Sequence, residues 1–181
     1  MKKFKLTSEF IVDISGVKLF RIKALIEFGN VKAGDLGGYI EKEENLSHMG
    51  DAWVSDDARI SGNAQVFGNA QVFGNAQVFG DARVSGNARV SGNARVSGDA
   101  QVFGDARVSG DKDYAYAHGF GSCNRTTTFF RLKDGDVGVR CGCFYGTLAQ
   151  FRDKVCETHG ETKKAQEYLM LADLMEIRFK N

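Results

Sequence analysis

The chain has 181 residues, and its 24 basic and 23 acidic side chains leave a formal net charge of +1. Nucleic-acid polymers and anionic membrane surfaces attract strongly basic proteins, so this balance argues against both as the main partner. No apolar run is long enough to span a membrane, and no segment is typical of a signal peptide. The four cysteines do not form the pattern of a secreted disulfide framework. We therefore expect a soluble, cytoplasmic protein with reduced thiols.

Residues 1–45 are predicted to form a β cap ahead of a repeated region. Phe4-Lys5-Leu6 is typical of a short strand, and Asp13 to Gly16 is typical of a turn. Residues 17–28 alternate in polarity like a second strand, whereas Gly34 to Gly38 is predicted to be a loop. Such a hairpin would cover strand edges that the first repeat would otherwise expose.

Residues 50–109 consist of ten consecutive six-residue repeats of the form Gly-(Asn/Asp)-Ala-(Gln/Arg)-Val-(Phe/Ser), with small departures. Ala and Val lie two positions apart, so on a strand they point to one side, and Gln or Arg points to the other. Gly-Asn and Gly-Asp are turn pairs that tolerate positive φ. A short strand and a turn, repeated, predict a parallel β-solenoid over residues 46–111, which begins with a degenerate repeat containing Leu46 and His48.

If three repeats form one coil, residues 18 apart stack in outward-facing ladders. The three ladders are Trp53, Gln71, Arg89 and Arg107; Arg59, Gln77 and Arg95; and Gln65, Arg83 and Gln101. Asn69 is expected to stack on Asn87 and Asn75 on Asn93, and Phe67, Phe73 and Phe79 would form a ring around one coil. The ladders are interpreted either as a solvated surface or as an anion-binding groove between packed subunits.

These repeats resemble those of the hexapeptide-repeat, left-handed parallel β-helix proteins, in which three hexads form one triangular coil. The resemblance implies a left-handed solenoid, although the glycine falls one position later than in that family. The chain also resembles proteins found in bacteriophage and prophage genomes. That second resemblance lies in residues 34–41 with 45–47, in the repeats, and in residues 127–131 through 141–144.

Residues 112–181 are predicted to be a loop followed by a ββαα module that ends the solenoid. The loop runs from Tyr114 to Arg125, and the hairpin strands are Thr126 to Leu132 and Val137 to Phe144. Thr147 is predicted to cap a helix that carries Leu148, Phe151 and Val155 on one face and ends near Gly160. A second helix is predicted over residues 162–176. The expected fold class is therefore mainly β, with a small C-terminal α+β module.

The segment from Gly119 to Thr127 is the strongest candidate binding loop. Its glycines expose backbone N–H groups, its hydroxyl side chains can donate hydrogen bonds, and Arg125 offers a guanidinium fork to an oxyanion. Neighbouring aromatic rings could stack on a planar ligand. The predicted ligand-binding residues are Arg125, Thr127, Ser122, Asn124, Tyr114, Tyr116 and Phe120, together with Arg89 and Arg107 from one ladder. The alternative is a plain connector between solenoid and hairpin.

Histidine and cysteine residues provide two further hypotheses. The resemblance to hexapeptide-repeat acyltransferases implies a histidine general base, for which His118 is the candidate, although the repeats lack the inserted loops that often build an acceptor site there. Cys123, Cys141, Cys143 and Cys156 offer thiolates to zinc, but Cys-x-Cys is not the usual spacing, and small buried cysteines are common in cores. No cofactor is predicted.

The sequence favours a homotrimeric binding protein without catalysis. Its expected task is to hold a small anionic, nucleotide-like ligand between subunits, as a phage-encoded protein that sequesters a host defence signal in the host cytoplasm. One alternative is an acyltransferase that uses acyl-coenzyme A. Another is a structural rod that presents the C-terminal module to a protein partner.

Overall fold

The computed structural model describes residues 1–122 and 124–180 as seventeen strands, two α-helices and a short 3₁₀ helix, Glu43–Asn45. Three strands precede the repeats: β1 Phe4–Val12, β2 Lys18–Ala24 and β3 Leu36–Ile40. The repeats supply ten two-residue strands: β4 Trp53–Val54, β5 Arg59–Ile60, β6 Gln65–Val66, β7 Gln71–Val72, β8 Gln77–Val78, β9 Arg83–Val84, β10 Arg89–Val90, β11 Arg95–Val96, β12 Gln101–Val102 and β13 Arg107–Val108. The C-terminal elements are β14 Tyr114–Phe120, β15 Arg125–Arg131, β16 Val137–Cys141, β17 Phe144–Thr147, α1 Leu148–His159 and α2 Lys163–Phe179.

The repeats form a parallel β-solenoid with three faces, as predicted. Face 1 contains β4, β7, β10 and β13; face 2 contains β5, β8 and β11; face 3 contains β6, β9 and β12. Each strand pairs with the strand 18 residues away, so that Arg89 lies beside Gln71 and Arg107, and Arg83 lies beside Gln65 and Gln101. The Ala side chain and the Val side chain, or Ile60 in one case, are buried in the lumen in every repeat. The three predicted ladders are therefore confirmed.

Corner residues explain why the glycine follows Phe or Ser in each repeat. Gly86 has a φ of +70°, and a Cβ atom built on it would lie 2.8 Å from the backbone nitrogen of Gly104 on the next coil. Asp56 takes the glycine position with a φ of +56°, and its Oδ2 accepts a hydrogen bond from the Gly74 backbone N–H at 2.9 Å. The position directly after the glycine stacks outside the corner, where the Asn69 amide donates a hydrogen bond from Nδ2 to Asn87 Oδ1 at 3.2 Å.

The N-terminal cap is continuous with face 2. β1, β2 and β3 pair antiparallel, and β3 then pairs parallel with β5, which places Ile40 beside Ile60. The prediction of a loop over Gly34 to Gly38 holds only as far as Asp35, because Gly37 and Gly38 lie inside β3. Both are glycines because this strand crosses close to the first coil: a Cβ atom on Gly38 would lie 2.6 Å from the carbonyl oxygen of Ala58.

Two buried polar side chains cap the first coil. Within the repeats, backbone N–H groups donate to Gly and Ala carbonyls of the next coil, as Gln71 donates to Ala88 at 2.9 Å. The corresponding carbonyls of the first coil have no preceding coil. Lys3, which is 1% exposed, donates from Nζ to the carbonyl of Ala52 at 2.7 Å and to that of Gly50 at 3.1 Å. Asn45 Nδ2 does the same for Gly62 and Ala64, so side chains satisfy buried acceptors that would otherwise cost stability.

The buried lysine predicts a pH dependence of stability. Burial lowers the pKa of Lys3 from 10.5 to about 8, although the Asp51 carboxylate partly offsets this effect. Between these two values the unfolded chain binds more protons than the folded protein, so folding stability should rise with pH across the window. Relative to Lys3→Met, the wild type should gain on the order of 2 kcal/mol in unfolding free energy between pH 8 and 10.5.

Urea denaturation at several pH values measures this difference. The matched control is Lys5→Met, two residues further along the chain at an exposed position of β1. The difference between wild type and this control should stay constant with pH. A Lys3→Met difference that is equally constant would contradict the shifted pKa.

The C-terminal part contains more regular structure than predicted. Tyr114–Phe120 is strand β14 rather than a loop, and β17 adds a further strand, so the sheet has the order β14-β15-β16-β17 and the module is ββββαα rather than ββαα. Alternation of tyrosine and histidine with alanine from Tyr114 to His118 is a strand pattern that the nearby glycines obscured. Gly119, which has a positive φ, lies where the pairing of β14 is irregular between Ala117 and Phe120, and Gly121, also with a positive φ, lies in the turn that follows.

Two cores meet along strand β15. Phe130 is fully buried among the lumen residues of the solenoid, whereas Phe129 packs on Phe151 beneath the helices. Thr147 caps α1, and its Oγ1 accepts a hydrogen bond from the Gln150 N–H, as predicted. The predicted buried face of α1 is confirmed as well. Successive residues of one strand thus join the end of the solenoid to the helical layer.

Candidate functional site

A row of four side chains on the C-terminal sheet covers the last coil. Strand register places them side by side across the sheet: Tyr116, Thr128, Arg140 and Tyr145. Thr128 Oγ1 accepts a hydrogen bond from the Gln101 backbone N–H at 2.9 Å, and Arg140 Nε donates to Gln101 Oε1 at 3.3 Å. The Tyr145 ring packs edge-on against Phe103, with centroids 5.1 Å apart. This row closes the solenoid and fixes the position of the sheet on it.

The sheet extends past this row and overhangs face 3. The gap forms a cavity of about 480 Å³, which we call the junction cleft. Its upper wall consists of His118, Asn124, Arg125, Thr126, Arg140 and Gly142, and its floor consists of Arg83, Asp99 and Gln101. Such a volume falls within the range of small-molecule sites.

The junction cleft is basic. Arg83, Arg125 and Arg140 come from three separate elements, and among the described residues of the lining Asp99 supplies the one carboxylate. Arg140 is held in place by Gln101 and by the Cys143 carbonyl, to which Nη1 donates at 3.3 Å. Arg83 and Arg125 are exposed to solvent. An anion in this cleft would meet guanidinium groups from more than one direction, and these groups suit bidentate binding of oxyanions.

His118 lies at the rim of the cleft beside a hydroxyl group and a carboxylate. Its Nδ1 is 2.9 Å from Thr126 Oγ1 and 3.8 Å from Asp99 Oδ2. When Nδ1 carries the proton, the basic lone pair is on Nε2. The imidazole and the Asp99 side chain are both more than half exposed, so a ligand or substrate can reach them from solvent.

The loop that supplies Asn124 and Arg125 is anchored to helix α2. The Gly121 N–H donates to Glu167 Oε2 at 2.8 Å, and the Ser122 N–H donates to the Tyr168 hydroxyl at 3.1 Å. Burial raises the pKa of Tyr168, which keeps its hydroxyl protonated at neutral pH. Asn124 adopts a φ of +48°, a conformation that asparagine tolerates. These contacts hold the loop in place without a ligand.

The structure brings together three of the sequence-predicted residues in the junction cleft: His118, Asn124 and Arg125. Tyr116 lies beside Thr128 across the sheet, with its hydroxyl close to Gly98, and is 42% exposed. Phe120 is 44% exposed at the end of β14. Phe120 pairs with Arg125 across the hairpin, but neither ring is among the described residues that line the cleft.

Other sequence-predicted residues lie elsewhere. Thr127 is buried on the helix side of β15, where its hydroxyl contacts Cys141 Sγ at 3.2 Å. Ser122 is bound to Tyr168, and Tyr114 is buried with its hydroxyl on the Arg95 carbonyl at 2.6 Å. Arg89 and Arg107 lie on face 1, whereas the floor of the cleft is face 3. Within one chain these side chains do not share a site with Arg125.

Sequence reasoning did not select Arg83, Asp99, Gln101 or Arg140 as site residues. The repeat register already placed Arg83 and Gln101 in one ladder, but all three ladders have similar composition. Only the position of the sheet singles out face 3. Arg140 lies beside Thr128 across the hairpin, a pairing that required the correct strand bounds.

The cysteines do not converge within the described residues. Cys141 ends β16 and Cys143 lies in the following turn, so the predicted strand from Val137 to Phe144 is interrupted between the two cysteines. Cys156 is exposed on α1, and Cys123 lies outside the described residues. In residues 1–122 and 124–180, no group of three His, Cys, Asp or Glu side chains is arranged to hold a metal ion.

Neither α-helix of the described chain is long and apolar enough to cross a bilayer. Comparison with family models found matches to the YdcK Beta solenoid repeat at residues 58–74, 76–91, 88–101 and 100–111. A search of curated proteins found no match. The family matches fall within the repeats, and together with the structure they show that this chain contains a β-solenoid built from sequence repeats.

Proposed function

We propose that this chain is a non-catalytic, oligomeric binding protein that holds a small anionic, nucleotide-like ligand in the junction cleft. The observation that carries the proposal is the placement of three arginines and one aspartate around a cavity of about 480 Å³. Charge-assisted hydrogen bonds from guanidinium to phosphate are among the strongest polar contacts in proteins. Arg140 is held by Gln101 and the Cys143 carbonyl, which reduces the cost of ordering this side chain on binding.

The neutral groups of the cleft favour a nucleotide over a bare phosphate. Gln101 and Asn124 offer amide donors and acceptors that can read the edge of a base. Tyr116 and Phe120 lie nearby with exposed rings, on which a planar base can stack. A ligand with phosphate groups and a base would use both kinds of contact.

The proposal includes a homotrimer in the cytoplasm of a phage-infected or prophage-carrying host, where the ligand is a defence signal. The phage-type resemblance of the sequence supports this setting. Arg89 and Arg107 lie on a different face from the cleft, so assembly would be needed to bring them to the same ligand. An outward arginine of one subunit facing the cleft of another would increase the positive field around it.

Calorimetry and native mass spectrometry with nucleotides and cyclic dinucleotides test the proposal. Arg83→Gln and Arg125→Gln should each weaken binding about tenfold or more, because each removes a charge-assisted contact of roughly 1.5–3 kcal/mol. The matched control is Arg59→Gln, an outward arginine of the same repeat slot on face 2. This control should bind like the wild type.

Two results would contradict the proposal. One is the absence of binding at high micromolar nucleotide, which would favour the alternative of a structural rod that presents the C-terminal module. The other is an equal loss of affinity in Arg59→Gln, which would indicate a non-specific charge effect rather than a defined site. Native mass spectrometry of the unliganded chain tests the trimer separately.

One observation favours an acyltransferase as a second candidate. His118 lies in the same cleft, with Nδ1 directed toward Thr126 and Asp99, which is a suitable arrangement for a general base acting through Nε2. In that reaction the base removes a proton from an acceptor hydroxyl or amine, which attacks the thioester and releases coenzyme A as the thiol. Turnover of an acyl-coenzyme A, measured as thiol release and abolished by His118→Ala, would support this function over binding alone.

A further inference from the structure

A second cleft lies at the opposite end of the solenoid, between the N-terminal cap and face 1. It has a volume of about 440 Å³ and is bordered by the segment that joins β2 to β3 and by the first coils. We call it the Trp53 cleft. Its aromatic residues are Trp53 and Phe73, and its polar side chains include Asn30, Asp35, Asp56 and Gln71. The junction cleft shares none of these residues.

The Trp53 side of the aromatic wall is fixed by packing. Phe28 packs edge-on against the Trp53 ring, with centroids 5.4 Å apart, and strand register sets Trp53 beside Gln71. Phe73 follows β7 directly, on the coil next to that of Trp53. Trp53 is 7% exposed, so it presents a limited edge, while the half-buried Phe73 provides an apolar surface. Aromatic faces carry negative charge density and attract weakly positive C–H groups.

The polar wall consists of carboxylates and amides. Asp35 Oδ2 accepts a hydrogen bond from the Lys32 N–H at 2.9 Å, and Asp56 Oδ2 accepts one from the Gly74 N–H at 2.9 Å. These bonds fix both carboxylates and leave acceptor capacity on each. Asn30 and Gln71 can donate and accept. Among the described residues that line this cleft there is no lysine, arginine or histidine, so an anionic ligand would be repelled.

We propose that the Trp53 cleft binds a neutral saccharide. A sugar ring has an apolar C–H face that can pack on Phe73 and the Trp53 edge, and its rim of hydroxyl groups can donate to Asp35 and Asp56 while bonding to the two amides. This combination of an apolar aromatic surface with carboxylate acceptors and amide groups fits a hydroxyl-rich, uncharged ligand. The proposal is independent of the anion site, because the two clefts are at opposite ends of the solenoid.

Saturation-transfer NMR and calorimetry on the full chain, with a panel of neutral mono- and disaccharides, test the proposal. At least one sugar should bind with a Kd below about 10 mM. Phe73→Ala and Asp56→Asn should each weaken binding about tenfold, which corresponds to about 1.4 kcal/mol. Asparagine keeps a side-chain oxygen for the Gly74 N–H and tolerates the positive φ of this position.

The matched control is Phe79→Ala, the equivalent position in the next repeat, which faces a different side of the coil. It should leave saccharide affinity unchanged, and Phe73→Ala should leave nucleotide affinity unchanged. The proposal is overturned if no sugar binds at about 10 mM. It is also overturned if Phe79→Ala and Phe73→Ala weaken binding equally, or if choline, a cationic probe of the two carboxylates, binds while the sugars do not.

Discussion

Gly38→Ala is expected to destabilise the protein by roughly 3 kcal/mol, because the strand that carries Gly38 crosses close to the first coil. A Cβ atom at this position would lie 2.6 Å from the Ala58 carbonyl oxygen and 2.8 Å from Val54 Cγ1. The carbonyl belongs to the backbone, and the Tyr39 N–H bonds to it at 2.9 Å, so it cannot move without breaking the pairing between β3 and β5. Urea denaturation followed by circular dichroism measures the loss.

Gly110→Ala is the control for this substitution. Nothing lies within 4 Å of a Cβ atom built at Gly110, and its φ is outside the left-handed region. This variant should be neutral or more stable by about 0.4–1 kcal/mol, because alanine reduces the freedom of the unfolded chain. Equal stability of Gly38→Ala and Gly110→Ala would contradict the close approach of β3 to the first coil.

Phe130→Ala is expected to cost about 3–5 kcal/mol of unfolding free energy. The ring is fully buried at the end of the solenoid lumen, where it packs with the last Ala and Val residues and joins the sheet to the coil. Removing it would leave a cavity at the junction between the two parts of the protein. Thermal and urea denaturation, followed by far-ultraviolet circular dichroism, measure the effect.

Phe120→Ala is the control for the core substitution. Its ring is 44% exposed at the end of β14, so its loss should change stability by less than about 0.5 kcal/mol. A Phe130→Ala variant as stable as Phe120→Ala would contradict the burial of Phe130 at the end of the solenoid lumen. Because Phe130 lies beside the row that positions Arg140, Phe130→Ala should also weaken anion binding if the junction cleft is the ligand site.

The solenoid could be predicted from the sequence because every six residues repeat the same pattern of turn, buried and exposed positions. Ala and Val in alternate positions specify the side that faces the lumen. Gly specifies the corner, where the backbone has a positive φ. Eighteen-residue stacking follows once three strands close one coil. The loop prediction failed at Gly37 and Gly38, because these glycines allow a strand to pass close to the first coil and do not form a turn. In a sequence, a glycine needed for a turn looks the same as a glycine needed for close backbone packing.

The sequence predicted only part of the candidate site. The segment around Arg125 was selected because glycines, hydroxyl groups and an arginine lie together in the chain, and Asn124, Arg125 and His118 do line one cleft. Thr127 was selected with them but faces the helices, because neighbouring residues of β15 point to opposite sides of the sheet. Alternation along the predicted strand separates Thr127 from Thr126 and Thr128, and the structure shows that the latter two face the solenoid.

The sequence by itself therefore determined the solenoid, its lumen and the stacking of its outward ladders, because each depends on contacts between identical repeats. The tertiary structure decided which ladder lies beneath the sheet and so which arginines come together. That choice depends on the contacts of Thr128, Arg140 and Phe130 with the last coil, which bring residues distant in the sequence into contact. No local pattern encodes such contacts, since the three faces of the coil are nearly equivalent until the cap and the sheet make them different.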